Sequence, residues 1–168
     1  MPTENFSDAI ALLKADHRKV EDLFEKFETA SSSAAKRKLA EQICNELKVH
    51  ATIEEELFYP ALKGKIEDDI LDEAYVEHDG AKVLINDILA STPDEEFYDA
   101  KVTVLSEEIK HHVKEEEQAG GMFAQAKKAG VDLAALGEQL MARKMELMPL
   151  AKNNSLPEAQ LIALKIAA

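Results

Sequence analysis

Five histidines occur in the sequence, and four of them stand where a hydrophobic stripe is due its next apolar residue. The steps read Leu13, His17, Val20 in one stretch and Leu47, His50, Glu54, Leu57 in the next. They continue as Tyr75, His78, Ala81 or Lys82, Ile85, and end as Leu105, Ile109, His112, Glu116. Two of the four belong to His-x-x-x-Glu pairs, His50/Glu54 and His112/Glu116. A four-residue step puts both side chains on one helix face, one turn apart. An imidazole and a carboxylate presented together can bind one metal ion or two adjacent ones. Buried without partners, Glu54 and Glu116 would each cost several kcal/mol, and a pair of divalent cations that they bridge removes that cost.

A single histidine in an apolar stripe is ordinarily a hydrogen-bonded core residue. Four of them, in four separate segments with two matched acids, are not explained that way. The spacing also repeats: His17 to His78 is 61 residues, and His50 to His112 and Glu54 to Glu116 are each 62. The chain therefore reads as two helical hairpins, each bringing one lone histidine and one His-x-x-x-Glu pair. Packed face to face, they bring together four imidazoles and two carboxylates. That set suits iron or manganese better than a closed structural zinc site. His111 lies off the stripe and reads as solvated. The remaining members of the runs Glu54-Glu55-Glu56 and Glu115-Glu116-Glu117 read as surface charges.

Positioning these residues requires four long helices. Three- and four-residue apolar steps predict helices over about Asp8–Glu28, Ala34–Leu62, Asp69–Leu89 and Asp94–Gln118. Ser7 is the expected first N-cap, and Pro60 is expected to loosen the last turn of the second helix, with Leu57 and Ala61 inward. Gly120-Gly121 interrupts the pattern before a short helix over Met122–Lys128. Short links between four helices imply an all-α, antiparallel up-down-up-down bundle over residues 1–130. Residues 131–168 form a C-terminal helical extension or tail, with an amphipathic stretch over Asp132–Leu147 and a further short helix expected near Pro157–Ile166. This extension could cap the bundle, bind a protein partner or a second copy of the chain, or stay loose.

Composition narrows the classes. The 168 residues are 46% hydrophobic, enough for one core, and carry a net charge of −13 that disfavours nucleic acid and anionic lipid as partners. No run approaches a membrane span, and Met-Pro-Thr-Glu-Asn-Phe lacks a secretory pattern, so a cytoplasmic location is expected. Cys44 is the only cysteine, which rules out an intrachain disulfide and a thiolate cage and leaves a buried core role.

Taken together, His17, the segment His50–Pro60, Glu77-His78 and His112–Glu116 resemble the hemerythrin/HHE cation-binding domain, over about Ile10 to Phe123. The resemblance implies a four-helix bundle around two non-haem irons, with manganese the alternative. Glu54 and Glu116 would then bridge, and His17, His50, His78 and His112 would be terminal ligands. One position departs from the pattern. Oxygen-carrying members have a second histidine one turn after the one on helix three, where this sequence has Lys82. Water or another carboxylate, Glu21 being one candidate, would complete that ion. A ferritin-like oxidase would need two Glu-x-x-His motifs, and only Glu108/His111 has that spacing, off the stripe.

The implied function is a di-iron protein that binds O2 or reacts with H2O2, in an oxidative-stress or oxygen/iron response, with catalase- or peroxidase-like turnover one form of it. The alternative is an iron- or oxygen-sensing module without turnover. Tyr59 and Tyr75 are expected to pack in the core with their hydroxyls at the rim. A histidine phosphotransfer role would rest on His111, where the surrounding acids repel a phosphoryl group.

Overall fold

The computed structural model describes residues 5–167, and among them every regular element is helical. Helix α1 spans Ala9–Thr29 and α2 spans Ser33–Ile53. A five-residue π-helical turn, Glu54–Phe58, continues α2 directly into the short α3, Tyr59–Leu62. Then follow α4, Asp68–Leu89, α5, Tyr98–Glu117, α6, Met122–Lys128, and α7, Leu133–Lys152. Helices α1, α2, α4 and α5 form the antiparallel four-helix bundle, each packed against the next and α5 returning to α1. Among the described residues no helix is long and apolar enough to cross a membrane.

The helix starts follow from local chemistry. Asp8, rather than Ser7, caps α1 by accepting a hydrogen bond from the Ala11 amide, and Ser32 and Asp132 do the same for α2 and α7. Helix α5 begins at Tyr98 and not at Asp94. The Thr92 amide donates to the Glu95 side chain, which closes a turn, and Asp94 accepts from Ser33 at the start of α2. Phe97 is left exposed while Tyr98 enters the core.

The second rod departs from a plain α-helix at its functional end. Pro60 has no amide hydrogen with which to hold α-helical register there. In the wider turn the Tyr59 amide bonds to the Glu54 carbonyl, five residues back. Phe58, Tyr59 and Leu62 become the buried face, and Leu57 and Ala61 are only partly covered. In an unbroken α-helix, five residues advance by about 500°, leaving Tyr59 about 140° away from Glu54. The π turn instead brings Tyr59 beneath Glu54 on the same face.

Two apolar clusters fill the bundle. One holds Leu13, Ile53, Phe58, Tyr59, Ala74 and Phe123, and the other Val20, Phe24, Leu47, Ala81, Ile85 and Leu105. The seam histidines lie between them. Cys44 is fully buried in the second cluster, and burial pushes its thiol up to about 12.

The C-terminal segment lies against the bundle. Leu136, Leu140, Leu147 and Ala151 of α7 join the first cluster. Close approach is possible because Gly137 has no side chain: a Cβ there would sit 2.7 Å from the Ala9 backbone nitrogen. The helix expected over Pro157–Ile166 does not form. Its backbone is instead bound by side chains of α4. Asp79 accepts from the amides of Ile162, Ala163 and Leu164, and Asn86 bonds both the amide and the carbonyl of Ala159. Lys82 donates to the Gln160 carbonyl.

Candidate metal centre

All six residues singled out from the sequence converge between the two apolar clusters, and all are buried: His17, His50, Glu54, His78, His112 and Glu116. Glu54, His78, His112 and Glu116 offer donor atoms within 4.8 Å of one another, and so do His17, His50 and Glu116. Glu116 is common to both groups. Glu54 also reaches both sides, its Oε1 lying 2.6 Å from His50 Nε2 and 3.7 Å from His78 Nε2. The geometry thus offers two adjacent donor groups that share Glu116, with Glu54 reaching both.

These atoms fit a metal better than they fit each other. His17 Nε2, His50 Nε2, both Glu54 oxygens and Glu116 Oε2 are buried without a properly directed hydrogen bond, although they crowd to within a few ångströms. Native proteins rarely leave such groups unpaired. The Nε2 atoms of His78 and His112 are 3.1 Å apart. That is about the spacing of two nitrogen ligands set at right angles around one ion, each about 2.1 Å from it.

Each imidazole is held by a carboxylate on its outer nitrogen. His17 Nδ1 pairs with Glu117 at 2.9 Å, and His50 Nδ1 with Asp16 at 3.0 Å. His78 Nδ1 pairs with Glu55 at 3.2 Å, and His112 Nδ1 with Glu77 at 3.1 Å. With Nδ1–H given outward, the Nε2 lone pair of each ring faces the centre, the tautomer that metal binding requires. Each outer carboxylate is the sequence neighbour of an inner donor but serves a histidine on another helix. Asp16 of α1 holds His50 of α2, Glu55 of the π turn holds His78 of α4, Glu77 of α4 holds His112 of α5, and Glu117 of α5 holds His17 of α1. The ring of four contacts closes.

Glu55 and Glu117 are therefore not the free surface charges that their acidic runs suggested. Only Glu56 and Glu115 keep to the outside, Glu56 paired with Arg143 and Glu115 with the exposed His111. The signal for the outer carboxylates was present in the repeat: Asp16 and Glu77 are 61 residues apart, and Glu55 and Glu117 are 62.

Tyr59 is the other donor that sequence periodicity missed. Its hydroxyl lies at the centre instead of the rim, donating to Glu116 Oε1 at 3.0 Å and lying 3.0 Å from His78 Nε2. Burial, with Glu116 and Glu54 beside it, holds the phenol well above its usual range. Tyr75 packs edge-on against the Tyr59 ring. Lys82 does not enter the centre. It bonds Glu55 at 2.8 Å and so braces the carboxylate that orients His78. Glu21 is half-buried and paired with Arg18 at 3.2 Å, outside both donor groups.

The Hemerythrin HHE cation binding domain profile matches residues 8–123, a span that contains every one of these donors. The chain belongs to that family. The crystal structure of an HHE cation binding domain-containing protein from Mycobacterium kansasii, an Rv2633c homolog, superposes with a TM-score of 0.74 at 23% identity. The match covers 89% of this chain and 94% of that one. A DNA nickase of Nostoc sp. (strain PCC 7120) is 28% identical over 106 residues, which are 63% of this chain and 30% of the nickase. This HHE domain thus spans less than a third of that relative's length. Helix α7 and the tail lie beyond the residues that the family profile matches.

Two outcomes follow from the geometry of this HHE domain. Replacing an outer carboxylate, as in Glu77→Ala, should weaken metal binding by about 10–100-fold, read as the chelator concentration that strips half the metal. Far-UV circular dichroism should stay unchanged.

The second concerns pH. In the metal-free protein, burial opposes charge on His50, but Glu54 and Asp16 outweigh it and raise the imidazole from 6.5 to about 10. Burial likewise opposes charge on Asp16, but His50 and Lys144 outweigh it and hold the carboxyl down from 3.8 to about 2. A raised imidazole stabilises fully below its unfolded value and stops doing so as pH rises through its folded one. The depressed carboxyl stabilises above 3.8 and stops doing so as pH falls through about 2. The Tm of the metal-free protein should therefore fall as pH climbs from 6.5 towards 10. Metal affinity should rise over the same window, because the ion takes neutral imidazoles.

Proposed function

We propose that this HHE domain holds a non-haem di-iron centre that binds O2 or reacts with H2O2. The observation that carries the reading is the convergence of four inward Nε2 atoms and two shared carboxylates, several left without hydrogen bonds, in an apolar interior. Manganese fits the same donors. A bound iron pair would supply redox capacity and open coordination positions. The chain itself contributes orientation, through the four outer carboxylates, and a proton held at Tyr59 Oη on Glu116. It also excludes water, with Phe58 and Phe123 covering the carboxylate side and Phe123 stacked on His17.

A sensing role without turnover is the second reading, and one path of contacts favours it. The tail carbonyl of Gln160 accepts from Lys82, Lys82 bonds Glu55, and Glu55 holds His78. Loading or loss of metal at His78 would bias the tail through that path.

Oxygen admitted to the reduced, iron-loaded protein should produce a visible absorption band, and His78→Ala should lose both one equivalent of iron and the band. A band unchanged in His78→Ala would remove His78 from the centre. For sensing, limited proteolysis of residues 153–167 should proceed faster without metal than with it. Equal rates in both states would leave the tail out of any switch.

A further inference from the structure

Beyond the donor atoms the bundle contains a cavity of about 420 Å³. Its floor is the four imidazoles, His17, His50, His78 and His112. Its inner wall is apolar, made by Val20, Leu47 and Ile109, each three residues from the histidine of its own helix, and by Ala81 and Ile85 of α4. Glu54, Glu116 and Tyr59 do not line it, so this space lies across the imidazole layer from the carboxylates and is not the ion pocket itself. It opens between α2 and α4 beneath the tail, where Leu156 to Gln160 and Arg143 form its outer edge.

Size and chemistry together define an occupant. A water-sized ligand such as O2 or H2O2 takes a volume on the order of 30 Å³, so the cavity is more than ten times too large for one. Its volume lies in the range of pockets that enclose organic molecules. The apolar wall disfavours a charged body. The two ammonium groups near the opening are already engaged, Lys48 with the Leu156 carbonyl and Lys82 with Glu55 and the Gln160 carbonyl. The polar surface at the inner end is the imidazole floor together with Asp16 and Glu55, the carboxylates that hold His50 and His78.

We infer that this cavity binds an uncharged organic molecule with an oxygen head and an apolar body, the class of alkyl hydroperoxides and their alcohols, with the oxygen at the imidazole end, where the Asp16 and Glu55 carboxylates can accept its O–H. The inference rests on the reading of the centre as one that takes peroxide or oxygen, and it names the kind of peroxide. Ile109, only half-buried, is the wall residue best placed to set how long a body fits.

Straight-chain 1-alkanols from propanol to octanol serve as unreactive probes of the iron-loaded full chain, with affinity read by titration calorimetry. Azide binding to the iron, read from its visible absorption, is followed in parallel. Affinity should rise about fourfold for each added methylene, the value of burying one CH2 from water, and then level off as the cavity fills. Ile109→Trp, which places a large ring in the cavity, should flatten the series and leave the azide response and the circular dichroism unchanged. A flat series in the wild type would overturn the inference, as would the same slope in Ile109→Trp, since the alkanols would then be binding elsewhere. Absence of any azide response would instead count against the di-iron reading, whatever the alkanols do.

Discussion

Two carboxylates and four imidazoles occupy the middle of an apolar bundle, and the remainder of the fold is arranged around their desolvation. Groups of this kind lose far more solvation on burial than a single weak contact returns. In the metal-free protein they share protons. Burial opposes the charges, yet Glu116 lies well below its usual range and His112 well above, because each stabilises the other's ionised form. Bound metal would replace those protons, and the buried atoms that lack hydrogen bonds would gain partners. The apolar clusters on either side keep water from competing for the same atoms.

The outer carboxylates extend that constraint to helix packing. Each histidine is aimed by an acid from a neighbouring helix, so relative rotation of two bundle helices would misdirect at least one ring. Side-chain hydrogen bonds of this type fix ring orientation as well as tautomer. The π turn has a related effect at one position. It costs regular helical bonding, and in exchange a buried phenol stands beneath Glu54. In the second hairpin the corresponding place, 62 residues on, is Gly121. There the chain bends away instead, and a Cβ would fall 2.4 Å from the Glu115 carbonyl. The two halves are thus alike in their donors and unlike at the residue that follows them.

Much of this was legible from spacing alone. Helical periodicity located the four rods, and a histidine in place of an apolar residue marked the inner donors, because in a long helix the inward face is fixed by simple arithmetic. That arithmetic fails where the helical period changes. Phe58 and Tyr59 were hidden because a π turn has no strong local signature beyond Pro60. Glu55 and Glu117 were hidden for another reason: an acid beside a buried ligand looks like any solvated acid until its partner on another helix is known. The segment 157–166 has helix-forming residues, but Asp79 and Asn86, more than 70 residues earlier, take its backbone groups. Tertiary contacts there override local propensity.

The closed order of the four orienting contacts also bears on how the chain is divided. Two of them, Asp16 to His50 and Glu77 to His112, lie within a hairpin. The other two, Glu55 to His78 and Glu117 to His17, cross between hairpins. Rotating one hairpin onto the other exchanges the members of each class. A hairpin of this kind therefore carries both halves of a self-complementary surface, and two identical copies related by a two-fold axis could complete the same circuit. In those terms the single chain is a covalently tethered homodimer, in which the link between α3 and α4 supplies proximity and frees each half to diverge, as the phenol of Tyr59 in one and the bend at Gly121 in the other show.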